Sequence, residues 1–227
     1  MKFSEFEAIM SMQRINRYVQ ACEGQTKKAM TLYRLNLRLS QEMFTIISCF
    51  EVALRNAIDQ HILVLHGNDW LKNSTHKDGI FYNKNCKLTA GSINDAISKL
   101  NQNYTHNKLV AELGFGFWRY MFAPHQFSAV GKTLLQLFPA KPTSTPSIQY
   151  NHTYVFNQLA QINNLRNRIA HHEPICFQSG IPVKNTTKVR QLHALILQLF
   201  QWMTIDAAAL IYGLDHINDI CNQIDSL

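Results

Sequence analysis

The sequence predicts an all-α fold, and three observations carry that prediction. Apolar residues recur three and four positions apart over long stretches, the repeat of a helix with one buried face. No segment alternates apolar and polar residues cleanly enough to read as a half-buried strand. The segment from Thr26 to His66 contains neither glycine nor proline, the two residues that most often interrupt a helix. At 227 residues, one large domain spanning 1–227 is expected, with 46% hydrophobic residues to supply a core.

The elements follow in order. Residues 3–22 read as one helix with Phe6, Ile9 and Met10 on its apolar side, Arg14 and Arg17 at helical spacing, and Gly24 as its end. Residues 26–66 exceed an ordinary helix, so two helices or one bent helix are expected, with Ser40 as a cap for the second. Within it Met43, Ile47, Phe50, Leu54, Ala57 and Leu65 form one face that should be buried. Glu51 and Arg55 lie four apart on a neighbouring stripe. They read either as an intrahelical ion pair or, with Asn56, as a polar layer that orients a functional site. Residues 67–91 are rich in Gly, Asn, Asp and Ser and predict an irregular insertion; Ser92–Asn101 returns to a short helix. Leu109–Phe122 concentrates aromatics around Arg119, a composition that suits a core and less often a base-stacking surface. Three prolines mark 138–152 as a loop. Val155–His172 is a helix with Val155, Leu159, Ile162, Leu165 and Ile169 inward. A loop over 173–186, a helix over Lys188–Tyr212 capped by Gly213, and a short helix from Asp215 complete the chain.

The chemistry concentrates where the Val155–His172 helix ends. Between Arg166 and Glu173 stand two arginines, an asparagine, two histidines and a glutamate, and Pro174 then closes the run. Arginine holds phosphate with a planar fork of donors, and histidine takes or gives a proton near neutral pH. Spacing alone decides little, because Arg55 with His61 and Arg119 with His125 repeat it. Asn167, the doubled histidine and the helix stop set the Arg166 stretch apart.

Composition narrows the partners. The net charge is +7 and the pI about 9.2, which favours an anionic partner, nucleic acid ahead of membrane. Five cysteines without a C-x-x-C pair argue against a disulfide framework or structural zinc and fit a reducing cytoplasm. The residues after Met1 do not read as a signal peptide, and no run of eighteen apolar residues predicts a membrane span. His171, His172 and Cys176 lack a second ligand pair, so no metal and no other cofactor is expected. Phosphate-cradling glycine loops and hydrolase nucleophile motifs are absent.

Arg166–Ile175 resembles the signature of the Abi-like (abortive infection) proteins within the HEPN superfamily. Tyr33 with Asn36 and Leu39–Ser40, then Phe50–Ala57, resemble that family's N-terminal motif, and Leu113–Trp118 resembles its middle motif. The resemblance implies a helical bundle, usually dimeric, in phage-defence or toxin–antitoxin settings, where an antitoxin protein would be a further partner. It also implies metal-independent cleavage of RNA. Carried onto this chain, the catalytic residues are Arg166, Asn167 and His171, with His172 satisfying the same spacing and Arg168 as an RNA contact. Glu51, Arg55 and Asn56 are then expected near Arg166. The reading of a different class is a non-catalytic helical module that binds RNA or a partner protein, with the Arg166–His172 cluster only capping a helix.

Overall fold

The structure, a computed structural model, describes all residues 1–227. It is all-α: twelve α-helices and three short 3-10 turns, with one isolated bridge between Phe177 and Lys184 and no sheet. The contacts gather into two compact units. One comprises Met1–Ser48, Asn164–Leu197 and Ala207–Leu227; the other comprises Cys49–Asn163 and Gln198–Asp206. If residues 1–227 unfold as one cooperative domain, calorimetry should show a single transition.

Several element boundaries differ from those predicted. The first helix is two, α1 (Phe3–Met10) and α2 (Met12–Ala21), broken at Ser11 with φ 68°. A straight helix would set Phe6 and Arg14 about 12 Å apart along its axis. The break lets both reach one residue. Phe6 packs edge-on against the Tyr33 ring at 5.4 Å, and Arg14 Nε donates to the Tyr33 hydroxyl at 3.2 Å.

Residues 26–66 form a single helix, α3 (Thr26–His66), with Ser40 inside it rather than capping a second one. Hydroxyls able to compete with the backbone are absorbed. Thr31, Thr45 and Ser48 each donate to the carbonyl four residues earlier, so none interrupts the helix. Gly67, at φ 75°, ends α3. Met43, Ile47, Phe50 and Leu54 are fully buried as expected, whereas Leu65 is 50% exposed near the helix end.

The irregular insertion is shorter than predicted. After α4 (Trp70–Asn73) and a series of turns, helix α5 (Lys87–Leu100) begins five residues before Ser92. Buried Asp59 fastens this region: its carboxylate accepts from Trp70 Nε1 at 2.7 Å and pairs with His106 Nε2 at 2.7 Å. Helices α6 (His106–Glu112), α7 (Phe115–Tyr120) and α8 (Pro124–Ala129) follow. Phe115, Trp118 and Phe122 are core, and Phe50 packs edge-on against Phe115 and Phe200. Phe117 is half-buried and Tyr120 is 49% exposed, so the aromatic run divides between core and surface.

Helix α9 spans His152–Ala170 and α10 spans Thr187–Trp202, each shorter at its C-terminus than predicted. A short α11 (Ala207–Leu210) and the terminal α12 (Ile217–Asp225) follow, the latter burying Ile217, Ile220 and Ile224. No helix is long and apolar enough to cross a membrane.

Candidate active site at the end of α9

His171 and His172 are not helical; they form the turn that stops α9. His172 takes the left-handed conformation at φ 57°. Glu173 N–H donates to the Arg168 carbonyl at 2.8 Å, and His172 N–H donates to the Ile169 carbonyl at 2.9 Å. This pair of bonds is the Schellman closure, in which glycine usually holds the left-handed place. Glu23 at φ 51° and Thr204 at φ 58° close α2 and α10 in the same way, so a non-glycine stop is a habit of this fold and not by itself a mark of function.

Three arginines and an asparagine fix the turn. Arg14 Nη2 donates to the His172 carbonyl at 2.6 Å. Arg168 Nε donates to Glu173 Oε2 at 3.1 Å, and Arg168 Nη2 to the Pro174 carbonyl at 2.7 Å. Arg17 Nη2 bonds the Gln178 and Ile181 carbonyls at 2.9 and 2.8 Å and lies over the Phe177 ring at 4.7 Å. Asn36, only 3% exposed, accepts through Oδ1 from the backbone N–H groups of Ile175 and Cys176 at 2.9 and 3.2 Å. The chain leaving the turn is therefore tied to α2 and α3 at its backbone.

Arg166 differs from these arginines in donating to none of the turn's carbonyls. It is half-buried in the last two turns of α9, and its Nε, like that of Arg17, is buried with no hydrogen-bond partner. Asn167, His171 and His172 are exposed, and no hydrogen bond engages either histidine ring. The structure thus separates the polar run into residues that fasten the turn and residues whose donors and acceptors remain open. Arg168, read from sequence as an RNA contact, has an intrachain task as well. Cys176 is fully buried, and burial pushes its thiol up to about 12, which leaves it protonated and a poor nucleophile at neutral pH. No three His, Cys, Asp or Glu side chains gather where they could hold a metal ion.

Glu51, Arg55 and Asn56 belong to the Cys49–Asn163 unit, while Arg166–His172 belong to the other. Arg55 Nε is buried without a hydrogen-bond partner; Glu51 is half-buried and Asn56 exposed. Their service to the Arg166 cluster is carried forward as a proposal. Sequence reasoning missed the anchoring roles of Arg14 and Asn36. A polar residue on the buried side of α3, four positions from Ser40, was the available signal for Asn36.

The left-handed turn yields a stability test at His172. Non-glycine residues pay about 1–2 kcal/mol in this conformation, histidine less than β-branched residues. His172→Gly is expected to hold or raise the thermal midpoint, and His172→Val to lose about 1–2 kcal/mol. A Val variant as stable as wild type in a denaturant titration would contradict the geometry.

Neither a curated protein nor a solved structure matches the chain. The sequence model of the Abi-like protein family matches residues 2–176, a span that includes Arg14, Asn36, Arg55 and the whole turn up to Cys176. The chain therefore belongs to the Abi-like protein family, a membership that points to abortive infection, a form of phage defence.

Proposed function

We propose that this protein is a metal-independent endoribonuclease of the HEPN type, acting as a phage-defence or toxin–antitoxin effector. The observation that carries the reading is the contrast at the end of α9. Arg14, Arg17 and Arg168 are engaged by carbonyls and a carboxylate, whereas Arg166 donates to none of these groups and His171 and His172 are exposed. A cluster that served only as a helix cap would have its histidines closed against carbonyls. Here other side chains do the capping.

In the proposed reaction His171 takes the proton from a ribose 2′-hydroxyl. The 2′-oxygen forms a bond to the adjacent phosphorus, and the bond from phosphorus to the 5′-oxygen breaks. The leaving oxygen takes up a proton from the medium. Arg166 stabilises the charge that builds on the phosphoryl oxygens. Asn167 and His172 flank the same reacting group, Arg168 adds charge for the RNA backbone, and Glu51, Arg55 and Asn56 support the geometry. The products are a 2′,3′-cyclic phosphate and a 5′-hydroxyl, and DNA is not cut because it lacks the attacking hydroxyl.

A homodimer with two Arg166–His172 stretches facing one another is part of the proposal. One exposed set acts in high dielectric, where it stabilises a phosphorane-like charge weakly. A two-fold axis beside the turn would double the charge and shield it from water. Incubation of the purified protein with total RNA in EDTA, followed by end-group analysis, tests the chemistry. Cleavage with cyclic-phosphate ends is the expected result; activity that disappears on chelation and returns with Mg²⁺ would refute the metal-independent mechanism.

A further inference from the structure

A second surface, built entirely within the Cys49–Asn163 unit, has the chemistry of a single-strand binding groove. Three hollows of about 580, 250 and 520 Å³ lie in sequence around the start of α5. The first and second share Asn83; the second and third share Asn85 and His125. They are therefore neighbours along one face of this unit. No aspartate or glutamate lines any of the three.

What lines them falls into three chemical kinds. Lys84 and Lys87 stand at the first hollow, where α5 begins without an acidic residue in its first turn. Neither lysine takes part in an ion pair. Two ammonium groups at the positive end of a helix repel the local field, and an anion there would relieve it. Aromatic rings stand at both ends: Tyr82, 61% exposed, in the first hollow, and Phe117 with Tyr120, 49% exposed, in the third. Tyr120 is braced from within its own unit. Phe156 meets its ring edge-on at 5.4 Å, and Arg119 lies over it at 5.0 Å and over Phe156 at 4.1 Å. Between the rings, Asn85 and His125 are exposed and able to meet base edges.

We propose that this groove binds single-stranded RNA, with Lys84 and Lys87 on phosphates and Tyr82 and Tyr120 stacking on bases. The combination argues for this occupant. An acidic peptide would use the lysines and leave the tyrosines idle, and a duplex offers no open base faces to stack on. The inference rests on RNA being the ligand in the proposed function, but not on the Arg166 chemistry.

The test is fluorescence anisotropy with an end-labelled, unstructured RNA oligonucleotide. It uses the full chain carrying Arg166→Ala and His171→Ala so that the probe survives. Adding Lys84→Ala and Lys87→Ala should lower the slope of log affinity against log salt by about 1.4, because each single-strand phosphate contact contributes about 0.7. Adding Tyr82→Ala and Tyr120→Ala should weaken binding at least about tenfold, and the corresponding Phe pair should retain it. Affinity unchanged in both sets, or no RNA binding at all, overturns the proposal. Loss in the lysine set alone, with polyglutamate displacing RNA equally well, also overturns it and marks a plain polyanion surface. Cleavage by the wild-type chain is measured in parallel. Groove-dependent binding without cleavage defeats the nuclease reading and leaves the groove intact; cleavage without groove dependence does the reverse.

Discussion

Arg166→Ala is expected to lower the RNA cleavage rate about 10²–10³-fold, the usual cost of losing one preorganised donor to a developing oxyanion. His171→Ala should lose about 10²–10⁴-fold, the contribution of a positioned proton acceptor. Both variants should keep the helical content and the proposed dimer, because Arg166 Nε and the His171 ring make no hydrogen bond that the fold depends on. Arg168→Ala should behave differently. It removes the charge proposed to meet RNA and also frees Glu173 and the Pro174 carbonyl, so KM should rise and the turn should soften together. Light scattering, circular dichroism and cleavage assays on the three variants form one experiment. A monomer that cleaves RNA at full rate, or an undiminished His171→Ala/His172→Ala double variant, would end the claim.

The sequence carried the helical class and most of the buried face of α3, and it singled out the candidate stretch, because each rests on a local pattern. Periodicity marks a buried face, and the Arg166–Pro174 run stands out by residue type alone. Helix ends were legible only where glycine or proline marks them. Gly67 stood where expected, at φ 75°, whereas Gly213, expected to cap a helix over Lys188–Tyr212, lies beyond the separate α11 because α10 already stops at Trp202. The ends of α9 and α10 did not stand where expected, because His172 and Thr204 occupy the left-handed places that glycine usually holds. The break at Ser11 was hidden for a related reason: on either side of it Phe6 and Arg14 both meet Tyr33 of α3, contacts that no neighbour in sequence announces. The division of the site into fasteners and open groups was equally invisible. Arg14 and His172 are 158 residues apart in the chain, and nothing local to either announces their bond.

Asn36→Ala should be the most damaging single change for stability near the site. Asn36 Oδ1 is the one acceptor for two buried N–H groups, those of Ile175 and Cys176. A buried donor left without a partner costs about 1–3 kcal/mol, so the truncation should lose roughly 2–4 kcal/mol of the 5–15 kcal/mol that holds a typical chain folded. For a chain of this length that lowers the thermal midpoint by about 5–15 °C. Water entering the vacated space and bonding both groups would reduce the loss toward 1 kcal/mol. Asn36→Leu excludes that escape, since it fills the volume and supplies no acceptor; it should be at least as damaging as alanine. Asn36→Asp keeps an acceptor in place and should recover part of the loss. Thermal and denaturant melts of the three variants read the ranking directly. The consequence for function follows from position: Asn36 holds the backbone three and four residues beyond His172, so releasing it should lower cleavage even at temperatures where the chain remains folded. If Asn36→Leu proved as stable and as active as wild type, α3 would not be what holds this turn in place.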